Sequence, residues 1–381
     1  MVSSTVVTRD RWRRWVVVAA GAAALLAVSV AVDAVPSRQV PIGADALRER
    51  VLASAAQPYS GYGESVGRLG VPELPELDEV AALLSGTSRM RAWYAGPDRW
   101  RVDDLTAAGE RGTYRLGDSE FVWDYEGDSL TRIEGRAPVR LPRAADLLAP
   151  ELARRLLALG AGEPVRRLGA RRVAGIEAAG LRLSPADPQT TVGAVDVWAD
   201  PASGLALRVE VTTRGAERPV LVSRMLEVSL AAPAGDVLTP SASATSGRTV
   251  VRAVDIAGVL RGVGTIRAPS VLAGRTRVTP SVELPGVGLY GGSQYGGGLS
   301  AFVAVPLSRG LASRILDGAR NAGAAEIPVP AGAAIRLQTP LLTLAVVRVR
   351  RGGYLLAGAV TPAVLDQAAA ELATLPSGGP R

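Results

Sequence analysis

Between Trp93 and Glu134 large apolar and polar residues alternate, and turn signals interrupt the alternation at Gly96-Pro97-Asp98, Ala108-Gly109, Gly117-Asp118 and Gly127-Asp128. The segments between these turns carry Trp100 and Val102, Tyr114 and Leu116, Phe121, Trp123 and Tyr125, then Leu130 and Ile133. This pattern predicts a train of short antiparallel strands with one apolar and one polar face. Successive strand residues point to opposite faces, so Phe121, Trp123 and Tyr125 are expected to share one.

Elsewhere the period changes. Leu47, Val51, Leu52 and Ala55 fall on one side of a helix over 44–56, with Arg48, Glu49 and Arg50 opposite. Residues 72–85 interrupt the strands with Leu77, Val80, Ala81 and Leu84 at helical spacing. Two readings stand for that insert: a cover for one end of a cavity, or a surface excursion. Residues 144–159 read as helix divided at Pro150, with Leu147, Leu148, Leu152, Leu156 and Leu157 toward the sheet. Strands are predicted over 165–173, 178–184, 192–200, 205–213 and 220–231, with a hairpin turn at Asp200-Pro201-Ala202-Ser203-Gly204.

Residues 233–247 are poor in bulky side chains and rich in Ser, Thr, Ala and Pro, as a linker is. The strand, helix, strand–turn–strand and closing helix after them predict a second, smaller α+β domain. Its closing helix, 362–375, carries Pro362 in its first turn. The Gly-rich run 291–298 precedes a strand, not a helix, so it reads as a hairpin tip and not a phosphate cradle. Tyr290 and Tyr295 flank or enter that run and are candidates for a partner-binding loop.

At the start of the chain four Arg and one Asp lie within residues 1–14, followed by the uncharged run Trp15–Val32. Eighteen helical residues extend about 27 Å, close to the bilayer hydrocarbon core. The basic flank places the N-terminus in the cytoplasm and the bulk of the chain outside. Trp12 and Trp15 suit an interfacial belt. A signal peptide cleaved after Ala34 and a buried helix of a soluble protein are the other readings.

The order YSGYGES, helical insert, RMRAWYAGPDRWRVD, YRLGDSEFVWDYEGDSLTRI, then PELARRLLAL resembles the LolA-like superfamily, and VGAVDVWADPASGLALRVEV resembles its closing hairpins. The resemblance covers residues 44–235. That superfamily holds outer-membrane lipoprotein carriers and RseB-like regulators of sigma-E signalling. It implies a curved antiparallel half-barrel capped by helices, with a cavity that takes acyl chains or a protein segment. RseB-like proteins also carry a smaller C-terminal domain. The expected organisation is a cytoplasmic tail (1–14), a transmembrane anchor (15–35), a half-barrel domain (44–232), a linker (233–249) and a C-terminal α+β domain (250–376).

Composition narrows the chemistry. The chain has no His and no Cys, and every one of its 43 basic residues is Arg. Histidine triads, thiol nucleophiles, thiolate metal sites, Schiff bases and phosphate-loop lysines are all excluded. Net charge is +7, without a dense basic stripe interleaved with aromatics, so nucleic acid is not an expected partner. No cofactor and no metal are expected. The acids Asp98, Asp103, Asp104, Asp118, Asp124, Glu126 and Asp128 mostly occupy turn positions. The Arg pairs 154–155, 166–167 and 171–172 are either solvated or placed for lipid phosphates.

The aromatics concentrate in the first domain. Trp93, Trp100, Phe121, Trp123, Tyr125 and Trp198 are candidates for a cavity lining, with ordinary core as the other reading. The expected function is a membrane-anchored extracytoplasmic binding protein, not an enzyme. Its ligand would be apolar or acylated, or a regulatory membrane protein such as an anti-sigma factor, as the resemblance implies. A lipid or lipoprotein carrier and a carboxylate-based enzyme acting on envelope glycans are the alternatives. If residues 15–35 anchor the chain, it should stay with membranes through an alkaline wash, and protease added outside intact cells should reach residues 36–381. A soluble product beginning near Val35 would identify a cleaved signal instead.

Overall fold

A computed structural model describes residues 41–70, 78–106, 109–134, 142–240, 247–252, 269–278, 293–321, 323–350 and 352–375. The expected tail, membrane anchor and Tyr290 lie outside the described residues. Among the described residues no helix is long and apolar enough to cross a membrane.

The chain is mostly sheet with a few helices. The first sheet joins two meanders. β1 (Tyr59–Gly67), β2 (Thr87–Gly96), β3 (Arg99–Leu105), β4 (Glu110–Leu116), β5 (Ser119–Asp124) and β6 (Ser129–Glu134) pair in sequence order. So do β7 (Val165–Val173), β8 (Ile176–Leu183), β9 (Val192–Ala199), β10 (Ala206–Thr213) and β11 (Leu221–Ser229). The antiparallel pair β1–β11 closes one meander onto the other. The strand periodicity of the sequence therefore holds, with boundaries shifted by a residue or two.

Turn chemistry sets the hairpins. The Asp200 carboxylate accepts from the backbone N–H of Ala202 and Ser203 and from the Ser203 hydroxyl. Gly204 then takes φ +75°, in the left-handed region, against the Arg50 carbonyl. The short α-helix α1 (Ala44–Ala53) packs over β7 and β8, burying Leu47 and Val51. The helix α2 (Asp78–Ser85) packs on β1 and β2. A 3-10 turn at Ala144–Leu147 leads into α3 (Ala149–Leu159), which has Pro150 in its first turn, where a missing N–H costs no helix bond.

All three helices and the turn cover one face, termed inner. Its core combines Tyr59, Met90, Ala92, Tyr94, Val102, Leu181, Val197 and Val209 with Leu47, Val51, Leu147, Leu148, Leu152 and Leu157. On β1 the inner-facing positions after Tyr59 are Gly61, Gly63, Ser65 and Gly67. A Cβ on Gly63 would lie 3.2 Å from Leu148, and one on Gly67 would meet the Leu84 carbonyl oxygen at 2.2 Å. The register of β1 against β11 slips between Tyr62 and Gly63, a bulge that bends the sheet at its centre.

Within the span read as a linker, the backbone of 235–238 lies against β3. Arg99 donates to the Gly235 carbonyl, Arg101 to that of Val237, and Leu238 is only 1% exposed. Gly247–Arg252 then forms β12, which pairs with β6 in parallel and completes a twelve-stranded sheet. A composition-based reading misses this strand because a parallel edge partner needs no turn signal nearby.

The second sheet is a smaller unit. It runs β13 (Val271–Leu272), β14 (Arg275–Val278), β15 (Ser293–Tyr295), β16 (Phe302–Leu307), β20 (Gly352–Gly358), β19 (Thr343–Val349), β18 (Ala333–Gln338), β17 (Ala325–Ile327). One face packs on α4 (Arg309–Asn321) through Leu307, Ile335 and Val346, and the other on α5 (Pro362–Thr374) through Ala345, Val347 and Leu356. The loop after β8 joins the two sheets. Thr190 bridges to Val360, and its hydroxyl lies 2.8 Å from the Leu299 carbonyl and 2.7 Å from that of Ala359.

The close approach at Gly67 is testable. Gly67→Val should lower the urea midpoint by about 1–3 kcal/mol of stability, because the obstructing atom is backbone. Gly162→Ala, where a Cβ meets nothing within 4 Å, should change little. Equal midpoints for both variants would refute the packing account.

Candidate functional site

The inner face does not fill its helical cover everywhere. Beneath α2 and the residues leading into the 144–147 turn lies a cavity of about 1060 Å³. Its apolar wall is Val102 and Leu105 of β3, Val122 of β5, Ala82 and Leu83 of α2, and Ala144 and Ala145. Ser88 and Thr113 add hydroxyls, and Arg89, Asp104, Glu110, Arg111, Asp124, Glu126 and Arg143 supply charge. The described part of the insert, Asp78–Ser85, therefore covers one end of a cavity, the first of the two readings.

The cavity's charges are largely paired. Arg111 lies 3.7 Å from Asp124, and Arg89 lies 3.6 Å from Glu64. Buried Glu120, on the same inner face, bonds Arg115 at 3.0 Å and also pairs with Arg143. Backbone N–H bonds from Gly127 hold the Asp124 carboxyl below its ordinary range, with help from Arg111 and Glu126.

The aromatic candidates mostly face the other way. The pairings Trp93 with Arg101, Arg101 with Tyr114 and Tyr114 with Phe121 place Trp93 and Phe121 on the outer face, and Trp123 and Tyr125 follow by alternation. Trp198 is also outward, its indole N–H donating to the Gly169 carbonyl and its ring 4.1 Å from the Arg171 guanidinium carbon. Of the six candidates, buried Trp198 belongs to the same apolar cluster as the inner core, and half-buried Trp100 packs against it. None of the six lines the cavity described above. Phe121, Trp123 and Tyr125 do share a face, but it is the one without the helices. Tyr295 is no loop tip: it is fully buried in β15, stacked on Phe302, and its hydroxyl donates to the Pro269 carbonyl.

Three outer aromatics, Trp93, Tyr114 and Tyr125, surround Arg101. Its guanidinium carbon lies 4.7 Å from the Trp93 ring and 5.0 Å from that of Tyr114. It donates to both oxygens of fully buried Asp103, at 2.8 and 2.5 Å, and to the Tyr125 hydroxyl at 2.9 Å. The Tyr114 and Tyr125 hydroxyls are 3.2 Å apart, and burial pushes the Tyr114 phenol far above its ordinary range. The cluster thus buries a cation with its own counter-ion, and the 235–238 segment closes over it.

The side chains that build the cavity were not singled out from sequence. Val102 and Val122 sit one residue from the conspicuous Arg101, Phe121 and Trp123, on the opposite parity, and nothing local marks a small β-branched residue as cavity-lining. The Arg pairs are largely structural. Arg154 and Arg155 bond Glu151, Arg155 also Asp146, Arg171 bonds Glu210, and Arg172 bonds Glu177.

No family model matches the chain, and no curated protein matches it. Among solved structures it is similar to the MucA/MucB complex of Pseudomonas aeruginosa, at 16% identity and TM-score 0.47, covering 86% of this chain and 97% of that one. It is similar to MucB alone at 17% identity and TM-score 0.43, covering 86% and 96%. A LolA superfamily protein of Nitrosomonas europaea matches at 12% identity and TM-score 0.25, covering 52% of this chain and 98% of that one. What the chain binds has to be read from the cavity.

Glu110 yields a pH prediction. Burial raises its carboxyl, reinforced by a hydrogen bond and repulsion from Asp103, while Arg91 and Arg101 oppose the rise. A carboxyl raised on folding contributes stability below its unfolded pKa and loses it as pH climbs through the folded value. Glu110→Gln keeps a donor for Asp103 without the charge. It should raise the urea midpoint at pH 8 and lose that advantage toward pH 4. An advantage that persists unchanged at pH 4 would contradict the assignment.

Proposed function

We propose that this chain is a binding protein that takes an apolar or acylated ligand into the cavity between the inner sheet face and α2. The observation that carries the reading is a cavity of about 1060 Å³ with a wall of Val102, Leu105, Val122, Leu83 and Ala144 inside a charged rim. That volume is at the upper end for ligand sites, and its lining joins an aliphatic wall to an equally extensive set of polar and charged side chains. Burying about ten methylenes contributes roughly 8 kcal/mol before association costs, at about 0.8 kcal/mol each, which is compatible with micromolar binding.

Catalysis is not part of the proposal. Asp124 and Glu120 are engaged by arginines, which favours their charged forms over proton donation. The close carboxyl pair Asp103 and Glu110 has its buried member clamped by Arg101, leaving no cleft in which both reach a glycan. The expected anchor places the binding site outside the cytoplasmic membrane, where acylated envelope components are found. Tethering favours a sensor or regulator over a free carrier, because a tethered chain cannot shuttle.

An environment-sensitive fluorescent fatty acid added to the purified chain should bind saturably. Val122→Arg, which puts a charge on the apolar wall, should weaken binding at least tenfold. Tyr125→Phe, on the outer face, should leave affinity unchanged. A folded wild-type chain that binds neither the acyl probe nor lipid-modified peptide would sink the proposal. Binding that responds to Tyr125 and not to Val122 would move the site to the other face.

A further inference from the structure

The second unit is electrically lopsided. From Val305 to Thr361 the sequence holds seven Arg against two acids, Asp317 and Glu326. Both acids are bonded by a single residue, Arg320, at 3.2 Å each. Arg336 turns to the opposite side of the sheet and pairs with Asp366 of α5. Arg351 lies outside the described residues, and what remains among those described is Arg309, Arg314, Arg348 and Arg350.

The fold gathers these four. Gly353 comes so close to Ala312 that a Cβ there would lie 2.6 Å away, which brings the turn between β19 and β20 against the first half of α4. Arg348 donates to the Ser313 hydroxyl across that contact. Arg309, Arg314 and Arg350 are exposed, and Leu311, two residues after Arg309 and three before Arg314 in the helix, is 37% exposed. The helix buries Ala312, Leu316 and Ala319, and its exposed residues include Arg309 and Arg314 along with Asp317, which Arg320 pairs.

We propose that this face of α4 docks on anionic lipid headgroups, with Leu311 entering the interface. Arginine matches phosphate oxygens with paired N–H donors. Basic residues near an anionic bilayer contribute about 1 kcal/mol each, and an exposed Leu in their midst adds apolar contact. The inference rests on the proposed tether, since a chain anchored through 15–35 keeps its outer units beside a phospholipid surface at high effective concentration. Docking would hold the second unit on the membrane and, through the Thr190 joint, fix how the cavity unit stands above it.

The absence of Cys allows a clean probe. Leu311→Cys in the full chain takes one nitrobenzoxadiazole label. The chain is placed in nanodiscs of phosphatidylcholine alone or with phosphatidylglycerol. The label should shift to the blue only in the anionic discs, and the shift should fade in 0.5 M salt, where the Debye length falls to roughly 4 Å. Adding Arg309→Glu, Arg314→Glu and Arg350→Glu should reduce the docked population about a hundredfold or more. Arg166→Glu with Arg167→Glu, on the first sheet's edge, should leave it unchanged. No shift in anionic discs that carry the chain overturns the proposal and leaves the tether intact. A shift with acidic peptide but not with anionic lipid also overturns it, assigning the patch to a protein partner. If the chain fails to co-elute with discs the tether reading falls, and titration with anionic vesicles then decides docking by the same shift.

Discussion

The closest contacts in the first unit occur where β1 has almost no side chains. Gly61, Gly63, Ser65 and Gly67 line the inner face of the strand that joins the two meanders. The backbone can therefore approach what covers it: Leu148 next to Gly63, and the end of α2 next to Gly67. The bulge opposite Tyr62 and Gly63 adds curvature at the same point. With larger residues there, α2 and the 144–147 turn would be lifted from the sheet, and the cavity between them would lose its lid. The site thus depends on residues that contribute no chemistry of their own.

The two faces of this sheet solve different problems. The inner face buries aliphatic side chains beneath helices and leaves one region unfilled. The outer face carries ion pairs between neighbouring strands, Arg224 with Glu64 and Arg182 with Asp196, and one within β10, Arg208 with Glu210. Exposed pairs of this kind are each worth little, about 0–1 kcal/mol. Their effect here is to turn much of the chain's arginine inward on itself. The outer face therefore does not present a general basic surface, and the α4 side of the second unit stands out by contrast. The Arg101 cluster differs, because its counter-ion Asp103 is fully buried. Removing either partner would strand a charge in an apolar setting, which is far more costly than losing a surface pair.

The cavity unit and the second unit are not independent beads. The loop carrying Thr190 and Thr191 bonds the Leu299, Ala359 and Leu341 carbonyls, and Arg275 reaches Asp187 across the same joint at 3.4 Å. On the other side of the first sheet, the segment leading to the second unit is itself pinned by Arg99 and Arg101 and then contributes β12. A change in how the second unit is held therefore has a direct mechanical route to the sheet that forms the cavity.

Much of this architecture is written in local pattern. Alternation and turn residues located most strands, the helical period located α1, α2 and α3, and Pro150, in the first turn of α3, marked the division of the 144–159 segment to within two residues. The same rules showed that Phe121, Trp123 and Tyr125 lie on one face. They did not show which face, because parity within a strand is a local property, whereas the side that receives the helices is settled by contacts between residues far apart in the chain. Leu148 against Gly63 and Leu84 against Gly67 decide it, and neither pairing has a signature in either segment alone. Large aromatics drew attention as a cavity lining, yet an open cavity arises where side chains are too small to fill the space. Val102 and Val122 line it for that reason, while Trp93, Tyr114 and Tyr125 pack around Arg101 on the far side of the same strands. Sequence alone determined which residues stand together; the tertiary fold decided which group would be covered and which would be left facing empty space.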